Sequence, residues 1–265
     1  PFYRRLNVTT PYQYLQERFN TPVRLLGSAQ WVLFQFARMS IILYIPSMAL
    51  SAATGLNVYV CILVMGVLST LYTVLGGLEA VIWTDALQVL ILMGGAVVSL
   101  FYLGAGVEGG FAGIVTEAAA HEKFHTFNWT WDVAAPAVWV IAIGTAASNF
   151  AVFTTDQALV QRYMSTRTLR QSKAALWTSV LGGIPTGFLF FFLGTALWVF
   201  YRQNPALLPE GMGGDRVFPL FIVQQLPPGV SGLIIAGIFA AAMSSVDSGV
   251  NSISAAVTTD FVRRF

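Results

Sequence analysis

The segment AALWTSVLGGIPTGFLFFFLGTALWVFY, residues 174–201, contains no Asp, Glu, Lys or Arg. A helix that crosses the hydrocarbon core of a bilayer needs about 20 predominantly apolar residues. This segment is long enough for one crossing, and four further uncharged segments occupy 39–78, 86–107, 133–155 and 217–246. The sequence therefore predicts an all-α polytopic membrane protein.

The composition of the whole chain points the same way. Hydrophobic residues make up 56% of the sequence and charged residues 10%, and the mean hydropathy is +0.68. Soluble domains carry about a quarter charged residues, so soluble classes are excluded. We expect the lipid bilayer as a partner and no nucleic acid.

Glycine and proline clusters divide the apolar segments. Gly76-Gly77 and Pro227-Pro228-Gly229 are typical of helix boundaries. Together with the apolar segments they predict a single transmembrane domain of six helices, at 24–53, 57–75, 81–103, 135–155, 174–200 and 229–258. Because the chain starts at Pro1 rather than Met, we expect it to be part of a longer protein.

The distribution of basic residues predicts the orientation. Short cytoplasmic loops retain Lys and Arg. With six alternating spans, one side receives ten of the 14 basic residues, namely Arg4, Arg5, Arg18, Arg24, Arg162, Arg167, Arg170, Lys173, Arg263 and Arg264. We therefore expect both ends of this chain in the cytoplasm, and we expect the protein to be integral to the plasma (inner) membrane.

Few ionisable residues lie inside the predicted helices. Arg38, Asp85 and Asp247 are the central ones, and such residues in a membrane are functional candidates by default. Ser244 and Ser248 share a helix face next to Asp247, and a hard cation such as sodium binds several oxygen ligands. Alternatively, these small residues let two helices pack closely; the sequence leaves both interpretations open.

Four motifs resemble the sodium:solute symporter family, which includes the sodium/glucose, monocarboxylate, proline and sialic acid cotransporters. The longest is LYTVLGGLEAVIWTDALQ at 71–88. The others are TPYQYLQERF at 10–19, TDQ followed by VQR at 155–162, and the helix with Ser244-Ser245 that ends at Thr259-Asp260. They occur in the family's order and extend over nearly the whole chain.

This resemblance implies a LeuT-type fold of two inverted five-helix repeats, with sites at the membrane midplane. The six helices would be core helices 3 to 8. The family's main sodium site lies between core helices 1 and 8, which implies that the Ala241 carbonyl and the Ser244 and Ser245 hydroxyls are ligands here.

Some family members resemble one another in having a second sodium position. On that pattern Asp85 and Ser248 are ligands, and Asp247 stands where those members have a hydroxyl. An alternative for Asp85 is a cap of free N–H groups at a helix start. Sodium is the only cofactor that we expect.

Arg38 is the residue most informative about the substrate. A guanidinium in the middle of a span grips a carboxylate bidentately, so an anionic solute is one partner. Sialic acid transporters of the family resemble this arrangement. The alternative is an internal ion pair with Asp85 or Asp247.

The fourth predicted helix carries further candidates. Asn149 and Phe153 are expected to face the solute, although only Phe153 fits the aromatic gate pair of sugar-carrying relatives. A neutral sugar is therefore a less favoured alternative. Asp156, Gln157 and Arg162 follow at the cytoplasmic end, where we expect a gating or structural role.

The sequence leaves two further functional classes as alternatives. His121-Glu122-Lys123-Phe124-His125 fits the HExxH pattern of zinc metalloproteases, but no third zinc ligand follows it. A membrane sensor domain that resembles these symporters is another alternative. The favoured expectation is a sodium-coupled symporter, not an enzyme, that imports a small organic solute such as sialic acid or a monocarboxylate.

Overall fold

The computed structural model describes residues 3, 6, 8–124 and 127–263, and in these residues all regular structure is helical. The α-helices are α1 Pro11–Arg18, α2 Thr21–Thr54, α3 Val58–Gly106, α4 Gly110–Ala120, α5 Val138–Thr155, α6 Gln157–Met164, α7 Leu169–Gln203, α8 Val217–Gln225 and α9 Pro228–Val257. Short 3-10 helices occupy Pro205–Leu207 and Gly214–Arg216, and a π-helix, Thr258–Val262, continues α9.

Within the described residues, six helical segments are long and apolar enough to cross a membrane. They are Thr21–Met48, Val58–Gly76, Ile82–Gly106, Val138–Thr155, Leu169–Gln203 and Pro228–Val262. Each overlaps one of the six helices predicted from the sequence.

The structure differs from the prediction at Gly76-Gly77, where α3 continues without interruption. Each glycine inside a helix costs only about 1 kcal/mol relative to alanine and keeps its N–H donor, so the pair does not end the helix. α3 nevertheless bends between Ser69 and Asp85. The Ser69 hydroxyl donates to the Met243 carbonyl at 3.3 Å, and the Ser244 hydroxyl donates to Asp85. Ser69 and Asp85 would lie about 24 Å apart on a straight helix, too far for both to reach adjacent residues of α9.

The chain divides into two compact units. The first comprises Pro1–Ile41, Phe127–Val180 and Asp247–Phe265, and the second comprises Ile42–Thr126 and Leu181–Val246.

The second unit has a continuous apolar core at the ends of α3 and α7. Leu103 and Phe200 pack there with Ile114 of α4 and Phe221 of α8. The rings of Phe200 and Phe221 pack edge to face, with 5.4 Å between their centroids and an angle of 82° between their planes. α4 and α8 lie outside the six predicted helices; they are helical because each buries an apolar face against this core.

The first unit is held by close packing between α2 and α9. A Cβ atom at Gly249 would lie 2.6 Å from the Met39 sulfur and 3.1 Å from Gln35 Nε2. Only glycine fits at this approach, as at many interfaces between membrane helices. Packing thus accounts for Gly249 among the small residues of α9.

Candidate functional site

The α9 residues predicted for the main sodium site lie in the second unit. Ser245 Oγ donates to the Ala241 carbonyl at 3.4 Å, and Ser244 Oγ donates to the carboxylate of Asp85. All four residues are half-buried. The structure therefore brings Asp85 to Ser244 and gathers hydroxyl, carbonyl and carboxylate oxygens, the ligand types that a hard cation prefers.

Asp85 does not cap a helix start. It lies inside α3, which begins at Val58, so the backbone N–H groups after it belong to a continuing helix. The capping alternative is wrong because α3 does not restart after Gly76-Gly77. The carboxylate instead accepts a hydrogen bond from a different helix.

Asp247 and Ser248 belong to the first unit. Asp247 is completely buried. Arg162 Nη2 donates to Ser248 Oγ at 2.5 Å. A guanidinium this close disfavours a second cation on the same hydroxyl, because like charges repel strongly where water is scarce.

Arg38 pairs with Asp156 in this structure. The distance from Arg38 Nη1 to Asp156 Oδ2 is 3.5 Å, and the Arg38 side chain is 47% exposed while that of Asp156 is 9% exposed. The alternative of an internal ion pair with Asp85 or Asp247 is therefore corrected: the partner is an aspartate at the end of α5. The pairing follows from the packing of α2 beside the α5–α6 junction, which the sequence alone does not specify.

Asp156 also begins α6. Its Oδ1 accepts hydrogen bonds from the N–H groups of Ala158 at 2.8 Å and Leu159 at 3.3 Å. This is the usual role of an aspartate at an N-cap. Arg162, six residues further on, contacts Ser248 of α9.

Gln157 links α6 to the segment that precedes α1. Its side chain is fully buried, and Nε2 donates to the Thr9 carbonyl at 3.2 Å. Tyr12 adds a parallel contact, because its hydroxyl donates to the Thr155 carbonyl at 3.1 Å. The N-terminal segment is therefore fastened to the α5–α6 junction.

The two solute candidates of α5 differ in burial. Asn149 is exposed, and its Nδ2 donates to the Thr145 carbonyl of its own helix at 2.9 Å. Phe153 is half-buried. The hydrogen bond of the Asn149 side chain thus stays within α5.

Sequence reasoning missed a buried ion pair in the first unit. Arg24 donates to Asp260 Oδ1 through Nε at 2.9 Å and through Nη2 at 2.5 Å. Thr10 Oγ1 donates to the same oxygen at 2.9 Å, and Ser28 Oγ donates to Oδ2 at 2.8 Å. Asp260 is fully buried, and we call these four residues the Asp260 cluster. The one signal in the sequence was the Thr259-Asp260 motif.

Tyr12 lies close to both aspartates. Burial, followed by the charges of Asp156 and Asp260, raises the pKa of the Tyr12 phenol well above its usual range. The phenol therefore remains protonated and can keep donating to Thr155.

The HExxH alternative is not supported. α4 ends at Ala120, and His121–Phe124 form turns, with Glu122 at φ +55°. A zinc protease needs both histidines on one face of a helix; His125 lies outside the described residues. Within the described residues no group of three His, Cys, Asp or Glu side chains is placed to hold a metal ion.

Comparison with known proteins identifies relatives along the whole chain. The model of the sodium:solute symporter family matches residues 1–265. The sodium/sialic acid symporter SiaT of Proteus mirabilis is 41% identical over 100% of this chain and 53% of its own length. The sodium/sialic acid symporter NanT of Aliivibrio fischeri is 37% identical over 100% of this chain and 52% of its own.

A solved structure agrees with these sequence matches. It is the substrate-bound, outward-open state of a Na+-coupled sialic acid symporter, with a TM-score of 0.95 and 41% identity. The match covers 100% of this chain and 56% of that one. The chain thus spans about half the length of these relatives, and the all-α, LeuT-type fold predicted from the sequence is confirmed.

Proposed function

The chain belongs to the sodium:solute symporter family, and from that premise we propose that it forms part of a sodium-coupled secondary active transporter. The transporter would import a small organic solute by alternating access, with a carboxylate such as sialic acid as the substrate. Relatives that span this whole chain are named sodium/sialic acid symporters, which supports the proposal. They are transporters and not enzymes, so the metalloprotease alternative is dropped.

Arg38 carries the proposal of an anionic solute. It lies within the candidate span Thr21–Met48, yet its side chain is half-exposed, and the guanidinium is 3.5 Å from its carboxylate partner. A charge-assisted hydrogen bond is shorter, about 2.7–2.9 Å. The guanidinium is therefore available for a bidentate contact with the carboxylate of a solute. Asn149 and Phe153 of α5 would line the same site.

Sodium would bind at the oxygens of α9. The Ala241 carbonyl and the Ser244 and Ser245 hydroxyls are the proposed ligands of the main position, and the hydrogen bond from Ser244 to Asp85 supports a carboxylate near it. A second position with Asp85, Asp247 and Ser248 is proposed on the family pattern alone, and it would require Arg162 to leave the Ser248 hydroxyl. Sodium and solute would each promote binding of the other by linkage.

The remaining proposals concern the membrane, the orientation of the chain and gating. The chain is an integral membrane protein, and a plasma (inner) membrane location is proposed for it. The distribution of basic residues supports an orientation with both ends of this chain in the cytoplasm. Asp156, Gln157 and Arg162 would then act in gating on the cytoplasmic side.

Uptake into proteoliposomes tests the function. The full-length protein would be given labelled sialic acid, a monocarboxylate and a neutral sugar, with and without an inward sodium gradient. We expect uptake of an acid that depends on the gradient, and Arg38→Gln should abolish it. Arg202→Gln is the matched control, because Arg202 is also 47% exposed and paired with a carboxylate. Absence of any gradient-driven uptake would leave the sensor alternative.

The sodium ligands are tested separately. Ser244→Ala and Ser245→Ala should each raise the sodium concentration needed for half-maximal uptake. Ser231→Ala, on the same helix but bonded to the Pro228 carbonyl, should leave it unchanged. An unchanged sodium dependence in both α9 variants would remove these hydroxyls from the site.

A further inference from the structure

We infer that Asp156 is an internal competitor for the solute: its carboxylate occupies Arg38 when the solute is absent and yields Arg38 to the carboxylate of the solute on binding. This inference rests on the proposed function, in which Arg38 binds an anionic solute. It assigns Asp156 a role in solute affinity and release that differs from its role in starting α6.

The two oxygens of Asp156 have separate tasks. Oδ1 accepts from the backbone N–H groups of Ala158 and Leu159, which fixes the carboxylate at the N-terminus of α6. Oδ2 faces Arg38 Nη1 at 3.5 Å. One oxygen therefore holds the side chain in place while the other presents a negative charge to the guanidinium.

The two partners differ in freedom. Asp156 is 9% exposed and anchored by its cap hydrogen bonds, whereas Arg38 is 47% exposed. Within the described residues the Arg38 guanidinium donates no hydrogen bond, so only electrostatic attraction holds it near Asp156. The guanidinium can turn to a new carboxylate without breaking a hydrogen bond of the protein.

A solute carboxylate offers Arg38 the better geometry. It can accept two parallel N–H···O bonds from the guanidinium, whereas the loose pair with Asp156 has none. Binding of the solute must still overcome the attraction of Asp156, which lowers the affinity. Release is correspondingly easier, because Asp156 recaptures the guanidinium as the solute leaves.

This competition also contributes to specificity. A solute without a carboxylate provides no replacement for Asp156 and leaves the pair intact. The effect of Asp156 on affinity should therefore be seen with an acid and be absent with its neutral ester.

Asp156→Asn tests this competition with little change to α6. Asparagine keeps an Oδ1 acceptor and is as good an N-cap as aspartate, but it replaces the charged Oδ2 with an amide. We would measure equilibrium binding of sialic acid and of its methyl ester to the full-length protein in saturating sodium. The expected result is a roughly threefold to fivefold lower Kd for the acid, in the range of a partly exposed ion pair. The ester should show no change, and the maximal rate of acid transport should fall.

Asp156→Ser is the second variant, since serine also caps helices and carries no charge. A folded Asn or Ser variant that binds the acid with equal or weaker affinity overturns the inference. If Arg38→Gln abolishes binding in the same assay, the proposed function stands and the competition alone fails. If the unmodified protein binds neither the acid nor the ester in sodium, the proposed substrate class fails, and the competition with it.

Discussion

Two arginines of α2 each pair with an aspartate from another part of the chain, and the two pairs differ in burial and in hydrogen bonding. Arg24 and Asp260 are both buried, and the carboxylate accepts hydrogen bonds from the guanidinium at 2.5 and 2.9 Å and from two hydroxyls. Arg38 is half-exposed and lies 3.5 Å from Asp156. The two arginines are separated by about 21 Å along the helix.

The difference shows what burial and hydrogen bonding do to a charge pair. Removing one partner of a buried, fully bonded pair leaves an uncompensated charge, so the pair cannot change during a functional cycle without large cost. A half-exposed pair without hydrogen bonds is worth at most about 1 kcal/mol and can exchange partners. The Asp260 cluster therefore suits a structural role, and Arg38 with Asp156 suits a responsive one.

Breaking the buried pair should have the largest effect. Asp260→Ala would leave Arg24 buried without its carboxylate, which should cost about 3–5 kcal/mol of folding free energy. We expect little folded protein by size-exclusion chromatography and a strongly lowered Tm. The control Asp132→Ala changes an exposed aspartate that bonds only its own turn. A normal Tm for Asp260→Ala would show that the buried pair does not stabilise the fold.

The hydroxyls of the Asp260 cluster should have a smaller effect. Thr10→Val and Ser28→Ala each remove one hydrogen bond to a buried carboxylate, and bonds to charged groups contribute about 1.5–3 kcal/mol. Each variant should lower the free energy of unfolding by about that amount. Ser40→Ala, which loses a bond to the Phe36 carbonyl at an exposed position of the same helix, should stay within about 0.5 kcal/mol of the unmodified protein. An equal decrease in the free energy of unfolding in all three variants would mean that the two hydroxyl donors to Asp260 contribute no more to stability than an exposed hydroxyl.

Tyr12 reports on both carboxylates through the pH dependence of stability. Its raised pKa means that above pH 10 the unfolded chain loses the phenol proton while the folded protein keeps it. The free energy of unfolding should therefore be unaffected by this group below pH 10 and fall above it, by at most about 1.4 kcal/mol per pH unit. Tyr12→Phe removes the ionisation, so its stability should fall less steeply between pH 10 and 11. Parallel curves for the two proteins would contradict the shift.

Periodicity and composition were sufficient to predict the spans of this chain, and motif residues were sufficient for the family. Periodicity, composition and motifs did not predict which charged residues form ion pairs. Arg24 was counted only as a basic residue near the end of a span, where such charge is common, and its partner lies 236 residues away.

The same limit applies to Arg38 and to the short helices. The sequence identified Arg38 as unusual but favoured Asp85 or Asp247 as its structural partner, because those aspartates also lie inside spans. Pairing depends on which helices pack together, and residue type does not specify it. α4 and α8 were missed because their helices are stabilised by burial of Ile114 and Phe221 in tertiary contacts, not by local signals alone.

The smallest expected effect completes the comparison between the two arginines. Arg38→Gln should lower the free energy of unfolding by less than about 1 kcal/mol, since a half-exposed pair at 3.5 Å contributes little to stability. Arg24→Gln leaves Asp260 buried and charged, and it should destabilise the protein several times more. Paired Tm measurements of the two variants, in the same detergent and with saturating sodium, provide the test. If Arg38→Gln is as destabilising as Arg24→Gln, then Arg38 is a structural residue, and its loss of uptake would be explained by unfolding. If only Arg24→Gln unfolds, then any loss of acid binding in Arg38→Gln is a property of the site itself.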